Sequence, residues 1–321
     1  MLWIAALLLC LAALWLLERA LRTRTQKKFP PTGTMVEAGG RLMHVCIHGT
    51  GRRTIVFLPG LGTASPDTDF LPLTRRLTDY RCVVPEPLGY GFSQDAVTPR
   101  TADNIIDELR EGLLHAGVQP PYILLGHSIS GLYMRRWACR YPDEIVGLIG
   151  DDPSLPEQMD APELTAHLPD HGVLLALCKL GGALNRLFGF GRLWTRLFPT
   201  EAYYMTCGDL SLLPLTRALA AEKWNGRAFV SEYEQIRANA HCAGEAFPAC
   251  PYLMFTANGK ASCGGMTFAS GFSWVQAHKE TAARAPLHRF VTLPSGHYIH
   301  WMFPDRMAEE IASFFPTEKT P

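Results

Sequence analysis

The stretch from Tyr122 to Trp137 constrains this chain most. A short β-rich apolar run, Tyr122-Ile123-Leu124-Leu125, leads directly into Gly126-His127-Ser128-Ile129-Ser130-Gly131. Apolar residues then recur at helical spacing, at Ile129, Leu132, Tyr133 and Trp137. The segment therefore reads as strand, tight turn, helix. Small residues let the helix pass close to the strand, which pushes Ser128 into a strained turn with its hydroxyl exposed above a sheet. The pattern departs from G-x-S-x-G in one place, because Ser130 holds the last small position and Gly131 follows one step later.

The surrounding chain repeats this rhythm. Met35 to His48 reads as a hairpin turning at Gly39-Gly40, and Thr54 to Leu58 as a short strand ending in Pro59-Gly60-Leu61-Gly62. Arg81 to Pro85 reads as another strand, and Thr101 to Gly117 as a helix with Thr101 as its N-cap. Ile145 to Gly150 predicts a strand that ends in Asp151-Asp152-Pro153. From about 155 to 248 the sequence is Leu-rich, helix-like and broken by Gly and Pro, and it reads as an inserted helical cap. Alternation resumes with a strand at Tyr252 to Thr256, a helix near Trp274 to Arg284, a strand at Leu287 to Leu293 and a helix at Pro304 to Phe315. Strands alternating with helices predict an α/β fold with a mostly parallel sheet covered on both faces.

The first seventeen residues, Met1 to Leu17, carry no charged side chain. As a helix they would reach ~26 Å at ~1.5 Å per residue, close to a hydrocarbon core of ~30 Å. Arg19, Arg22, Arg24, Lys27 and Lys28 follow, against Glu18 alone. A secretory signal places its positive charge before the apolar run and a small-residue cleavage site after it; here the order is reversed. We read a single-pass anchor with the body on the cytoplasmic side. Nine dispersed cysteines without a C-x-x-C pair fit a reducing compartment. The chain has 321 residues, enough for one large core, and 30 basic residues balance 30 acidic ones, so nothing in its charge points to nucleic acid. The expected organisation is an anchor and basic flank at 1–28, a core in two parts at 29–154 and 249–321, and the cap at 155–248.

A serine in such a turn needs a base to take its proton. His297 stands in Pro294-Ser295-Gly296-His297, the loop off the last strand, at the same sheet edge. His300 is the neighbouring alternative, but it leads into the apolar stretch Trp301-Met302-Phe303, where packing accounts for it; His127 is read as structural. A carboxylate should orient the base. The loop after Thr256, Ala257-Asn258-Gly259-Lys260-Ala261-Ser262-Cys263, contains none, which moves the expected acid to Asp152, with Asp151 as the alternative. Backbone N–H groups of Leu61 and Ile129 are the expected oxyanion donors, with Gly62 as the alternative to Leu61. No metal or other cofactor is implied.

With these residues in place the chain resembles the α/β-hydrolase superfamily. The likeness covers roughly residues 40 to 152 and 250 to 316, carried by Pro59-Gly60-Leu61-Gly62, Glu86-Pro87-Leu88-Gly89-Tyr90-Gly91-Phe92-Ser93, the Ser128 turn and Ser295-Gly296-His297. It departs from the family at Pro59, where many members have His, at Glu86, where most have Asp, and at Ser130. The resemblance implies an α/β-hydrolase fold and a serine hydrolase of carboxylic esters acting through an acyl-enzyme. Acyl transfer, amide or C–C hydrolysis, perhydrolysis and a non-catalytic binding role on the same scaffold are the alternatives. In the cap, aromatics interleave with Lys179, Arg186, Arg192 and Arg196, as in a helix lying on a bilayer. A cap helix covering its own core is the equal alternative. With the anchor, this pattern suggests a lipophilic ester reached from the membrane.

Overall fold

The computed structural model describes residues 2–162, 173–197, 209–260, 262–265 and 270–317. Eight strands form one sheet in the order β1-β2-β4-β3-β5-β6-β7-β8. They are β1 (Thr34–Ala38), β2 (Arg41–His48), β3 (Thr54–Leu58), β4 (Arg81–Glu86), β5 (Tyr122–His127), β6 (Ile145–Asp151), β7 (Tyr252–Ala257) and β8 (His288–Leu293). β1 and β2 run antiparallel, β2 runs antiparallel to β4, and every pair from β4 to β8 is parallel. The hairpin turns at Gly39 and Gly40, both at positive φ, a conformation glycine adopts without steric cost. The central strands β3, β5 and β7 are buried along their whole length. This explains their unbroken apolar runs, since a parallel sheet is covered on both faces.

Two cores fill those faces. Helices α3 (Ala102–His115) and α4 (Ser130–Arg140) lie on one side with Ile105, Leu109, Leu132 and Trp137 buried. Helix α2 (Pro66–Thr74) packs on the other with Phe70 and Leu73, beside Phe57, Leu125 and Phe255. Thr101 caps α3 through its side chain, which accepts from the Asn104 N–H; removing such a cap costs ~1 kcal/mol. After β6 come α5 (Val173–Phe188), α6 (Phe190–Leu197), α7 (Leu213–Lys223), α8 (Arg227–Glu234) and α9 (Ile236–Gly244). These are the described helices of the region expected to form the cap; residues 163–172 and 198–208 of that region, with the side chains of Met159, Asp160, Leu174 and Trp194, lie outside the described residues. The chain returns through β7, α10 (Trp274–Ala283), β8, the short α11 (Ile299–Met302) and α12 (Pro304–Phe314).

The N-terminal helix α1 (Leu2–Lys28) is 27 residues long, has a mean hydropathy of 2.1 over its most apolar window, and buries only 6% of that window. It is long and apolar enough to cross a membrane. Its polar end meets the protein body. Glu18 is buried and pairs with Arg192 of α6 at 2.8 Å, and Arg22 pairs with Glu222 of α7 at 3.4 Å. Lys179 pairs with Glu234. Two of the four cap cations singled out in the sequence, Lys179 and Arg192, are thus satisfied within the protein. The eight described cysteines are all free.

Candidate active site

Ser128 follows β5 at the carboxyl ends of the parallel strands, where sites collect in open α/β sheets. Its φ is +53°, a left-handed conformation that costs a non-glycine residue of order 1 kcal/mol or more. Surrounding contacts hold it there. The Gly131 and Ser154 N–H groups both donate to the Ser128 carbonyl, at 2.9 and 2.6 Å, and the Ser128 N–H donates to Asp151 O at 3.3 Å. Close approach explains the small residues around it. A Cβ on Gly126 would come within 2.8 Å of Met134 and the Ser130 carbonyl, and one on Gly131 within 2.5 Å of Pro153 and Ser154 O. Ser130 fits the last small position because its hydroxyl donates to Pro59 O at 2.5 Å. That bond ties the start of α4 to the turn after β3.

His297 lies in the loop after β8, with its side chain 38% exposed, and its Nδ1 donates to Asp152 Oδ2 at 2.7 Å. Asp152 follows β6 with φ +44° and is buried. Its other oxygen, Oδ1, accepts from the Ala257 N–H at 3.0 Å and from Trp274 Nε1 at 2.8 Å. One carboxylate is therefore fixed by a strand end and a helix while it faces the imidazole. Asp151, the alternative acid, goes elsewhere. Its Oδ2 accepts from His300 Nδ1 at 2.5 Å, and His300 Nε2 faces Asp69 of α2 at 3.4 Å. Successive aspartates serve successive histidines. Burial works against charge on His300, yet Asp151 and Asp69 outweigh it and hold its pKa up to about 10. His300 is buried as expected, but an ion-pair network rather than packing alone accounts for it.

His127 is buried behind this loop. Its Nε2 lies 3.2 Å from the His297 carbonyl, and its ring packs on those of His297, Tyr298 and His300 at 4.7 to 5.0 Å. Burial, and then the charges of His297 and His300, push its pKa well down. The neutral ring donates to the carbonyl and props the loop that carries His297. His127, Asp151 and His300 bring ligand-type atoms within 4.8 Å of one another. However, the Nδ1 of His300 is spent on the carboxylate, so the trio is arranged as a hydrogen-bonded group rather than a ligand set.

The turn after β3 passes close to the serine. A Cβ on Gly60 would meet His127 Nδ1 at 2.8 Å and Ser128 Cβ at 3.3 Å. Leu61 follows Gly60, and Ile129 begins the first turn of α4, where N–H groups lack helical partners. The Gly62 N–H is occupied, donating to the Tyr90 hydroxyl at 3.1 Å. That hydroxyl donates in turn to Glu232 Oε2 at 2.6 Å, and Tyr133 donates to Glu232 Oε1 at 2.6 Å. Burial raises the Glu232 carboxyl above its usual range, against the two hydroxyls and Arg100. Glu232 belongs to α8, whose Ala228 and Phe229 sit over Gly89 and Gly62. Glu86, the departure from the more usual Asp, shapes the neighbouring loop: its Oε2 accepts from the Phe92 N–H at 2.6 Å and contacts His44 Nδ1 at 2.9 Å.

A family model described as the alpha/beta hydrolase fold matches residues 53–253, more than half of the chain. The chain belongs to the α/β-hydrolase family. It is similar to the uncharacterized protein YbdG of Bacillus subtilis, 37% identical over 127 residues, a stretch that covers 39% of each protein. The chain thus spans well under half the length of this relative. Among solved structures, a thermophilic esterase from Thermogutta terrifontis superposes with a TM-score of 0.58 at 18% identity, over 88% of this hydrolase-family chain and 97% of the esterase. A meta-cleavage product hydrolase from Pseudomonas fluorescens gives 0.58 at 17%, over 88% and 97%. At these identities the structural likeness establishes the fold.

Proposed function

We propose that the protein is a membrane-anchored serine hydrolase of lipophilic carboxylic esters. The observation that carries the proposal is the His297–Asp152 pair, held at the sheet edge where Ser128 sits at positive φ. Ser128 Oγ attacks the ester carbonyl while His297 Nε2 takes its proton. Asp152 holds the imidazole in the Nδ1–H tautomer and stabilises the imidazolium. The oxyanion that forms is held by the N–H groups of Leu61 and Ile129, the latter at the positive end of the α4 dipole. His297 then returns the proton to the leaving alcohol, and water, activated the same way, releases the acid from Ser128.

The membrane part of the proposal is supported by α1. A removable leader has no reason to place Glu18 in a buried ion pair with Arg192 of the body. We read α1 as a retained anchor with the body on the cytoplasmic side. Beside it the cap leaves Val173, Leu177, Leu193 and Leu197 exposed, Val173 at 76% and Leu197 at 63%. Exposed apolar side chains of this kind on helices beside α1 support a membrane or partner contact. The test is covalent labelling with a fluorophosphonate, comparing the detergent-solubilised protein with Ser128→Ala. Labelling that depends on Ser128, followed by hydrolysis of p-nitrophenyl esters that rises with acyl length, is expected. Equal labelling of both proteins would overturn the mechanism. Faster cleavage of an amide or a vinylogous diketone than of any ester would overturn the substrate class.

A further inference from the structure

A cavity of about 250 Å³ opens where the basic flank of α1 meets the cap helices, and Ser128, Asp152 and His297 are not among its lining residues. Four cations line it: Arg22 of α1, Arg186 of α5, Lys223 at the end of α7 and Arg227 at the start of α8. Two acids, Glu222 and Asp95, line it as well, which leaves an excess of positive charge. Glu222 is engaged by Arg22 at 3.4 Å, and Lys223 donates to Ser93 O at 2.9 Å. Among the described residues, the side chains of Arg186 and Arg227 make no hydrogen bond or close ion pair, and Asp95 is the acid whose charge reaches Arg186. Burial, and then the neighbouring charge of Arg227, push the Arg186 guanidinium below its ordinary value. Guanidinium groups crowded together with fewer anions than cations and no close ion pair are a configuration that an added anion relieves. Gly226 and Arg227, the uncapped N-terminal end of α8, line the same space and favour negative charge there.

The depth of the cavity narrows the choice of ligand. Arg22 lies five residues beyond Leu17, the last residue of the uncharged run. At ~1.5 Å per residue that is ~7.5 Å along the helix, and the headgroup layer beyond a ~30 Å hydrocarbon core is ~5–8 Å thick on each side. Phe29, Leu215 and Leu219 give the cavity apolar wall between its cations. We propose that this cavity is a binding site for a phosphate-bearing anion, with Arg186 and Arg227 as its principal donors and the headgroup of an anionic phospholipid as the expected source.

The full-length protein in detergent, examined by native mass spectrometry with phosphatidylglycerol or diacylglycerol added, tests this. Retention of phosphatidylglycerol at least ~10-fold above diacylglycerol is expected, and the doubly substituted Arg186→Ala, Arg227→Ala protein should lose that preference. A second protein, Lys27→Ala with Lys28→Ala, removes two exposed cations outside the cavity lining and should keep it. Circular dichroism checks that both remain folded. Thermal shift with glycerol 1-phosphate and with inorganic phosphate separates the sources. A shift that needs Arg186 and Arg227, without lipid preference, supports the anion site and assigns it to a soluble phosphate. Equal loss in both substituted proteins, or no binding of either lipid or soluble phosphate, would overturn the inference.

Discussion

Two adjacent aspartates with different partners give the sharpest expectations at the level of single residues. Asparagine at position 152 can keep its carbonyl oxygen on Ala257 and Trp274, but it would turn an amide N–H toward His297 and hold the wrong tautomer. Asp152→Asn should therefore lower kcat by about 10⁴-fold with little change in melting temperature. Asp151→Asn should lower stability and spare turnover; the reverse pattern in ester assays and melting curves would exchange the two roles. His300 adds a pH signature. Its folded pKa of about 10 lies above the ordinary histidine value of ~6.5. Its contribution to stability is complete below about pH 6.5 and fades as pH rises through about 10. His300→Gln should thus cost ~3–5 kcal/mol near pH 6 and progressively less toward pH 10, as read from denaturant melts. A deficit that stays constant with pH would refute the charged pair. The sequence could nominate Ser128 and His297 because each sits in a small-residue turn directly after a strand. It could not separate Asp151 from Asp152, because their different partners follow a left-handed turn at Asp152 that adjacent letters do not reveal.

Among the elements, strands were legible nearly to the residue, and for a physical reason. Central parallel strands are buried on both faces, so Thr54–Leu58 and Tyr252–Ala257 announce themselves as short apolar runs. Helix α2 was not legible, since Pro66 and Pro72 both lie within it and its buried residues include Thr68 and Asp69. The contribution of α8 was equally hidden. Glu232 reads as a solvated helix charge, and only folding brings it to Tyr90 and Tyr133, 142 and 99 residues away. Through Tyr90 it reaches the Gly62 N–H beside the expected oxyanion donor. Tyr90→Phe removes that link while keeping the ring. Turnover should fall about tenfold, short of the ~10²–10³-fold cost of deleting an oxyanion donor, with KM nearly unchanged. A loss of melting temperature with unaltered kcat would mean that the bridge only stabilises the fold.

For the molecule as a whole, α1 is joined to α6 and α7 through Glu18–Arg192 and Arg22–Glu222. Arg192→Ala leaves Glu18 buried with only the longer 3.6 Å pairing to Arg22, and a buried charge that loses its closest partner is costly. Faster amide exchange in α6 and the Gly189 turn is expected, with the exchange of β3 and β5 unchanged; uniform exchange throughout would show that the pair carries no such coupling. The same joint has a kinetic consequence. On the proposed anchoring and ester substrate, the body would be held at a leaflet and search in two dimensions, so its rate would answer to the mole fraction of ester among the lipids rather than to bulk molarity. Diluting the ester with inert lipid, at constant total ester and enzyme, should slow hydrolysis in proportion.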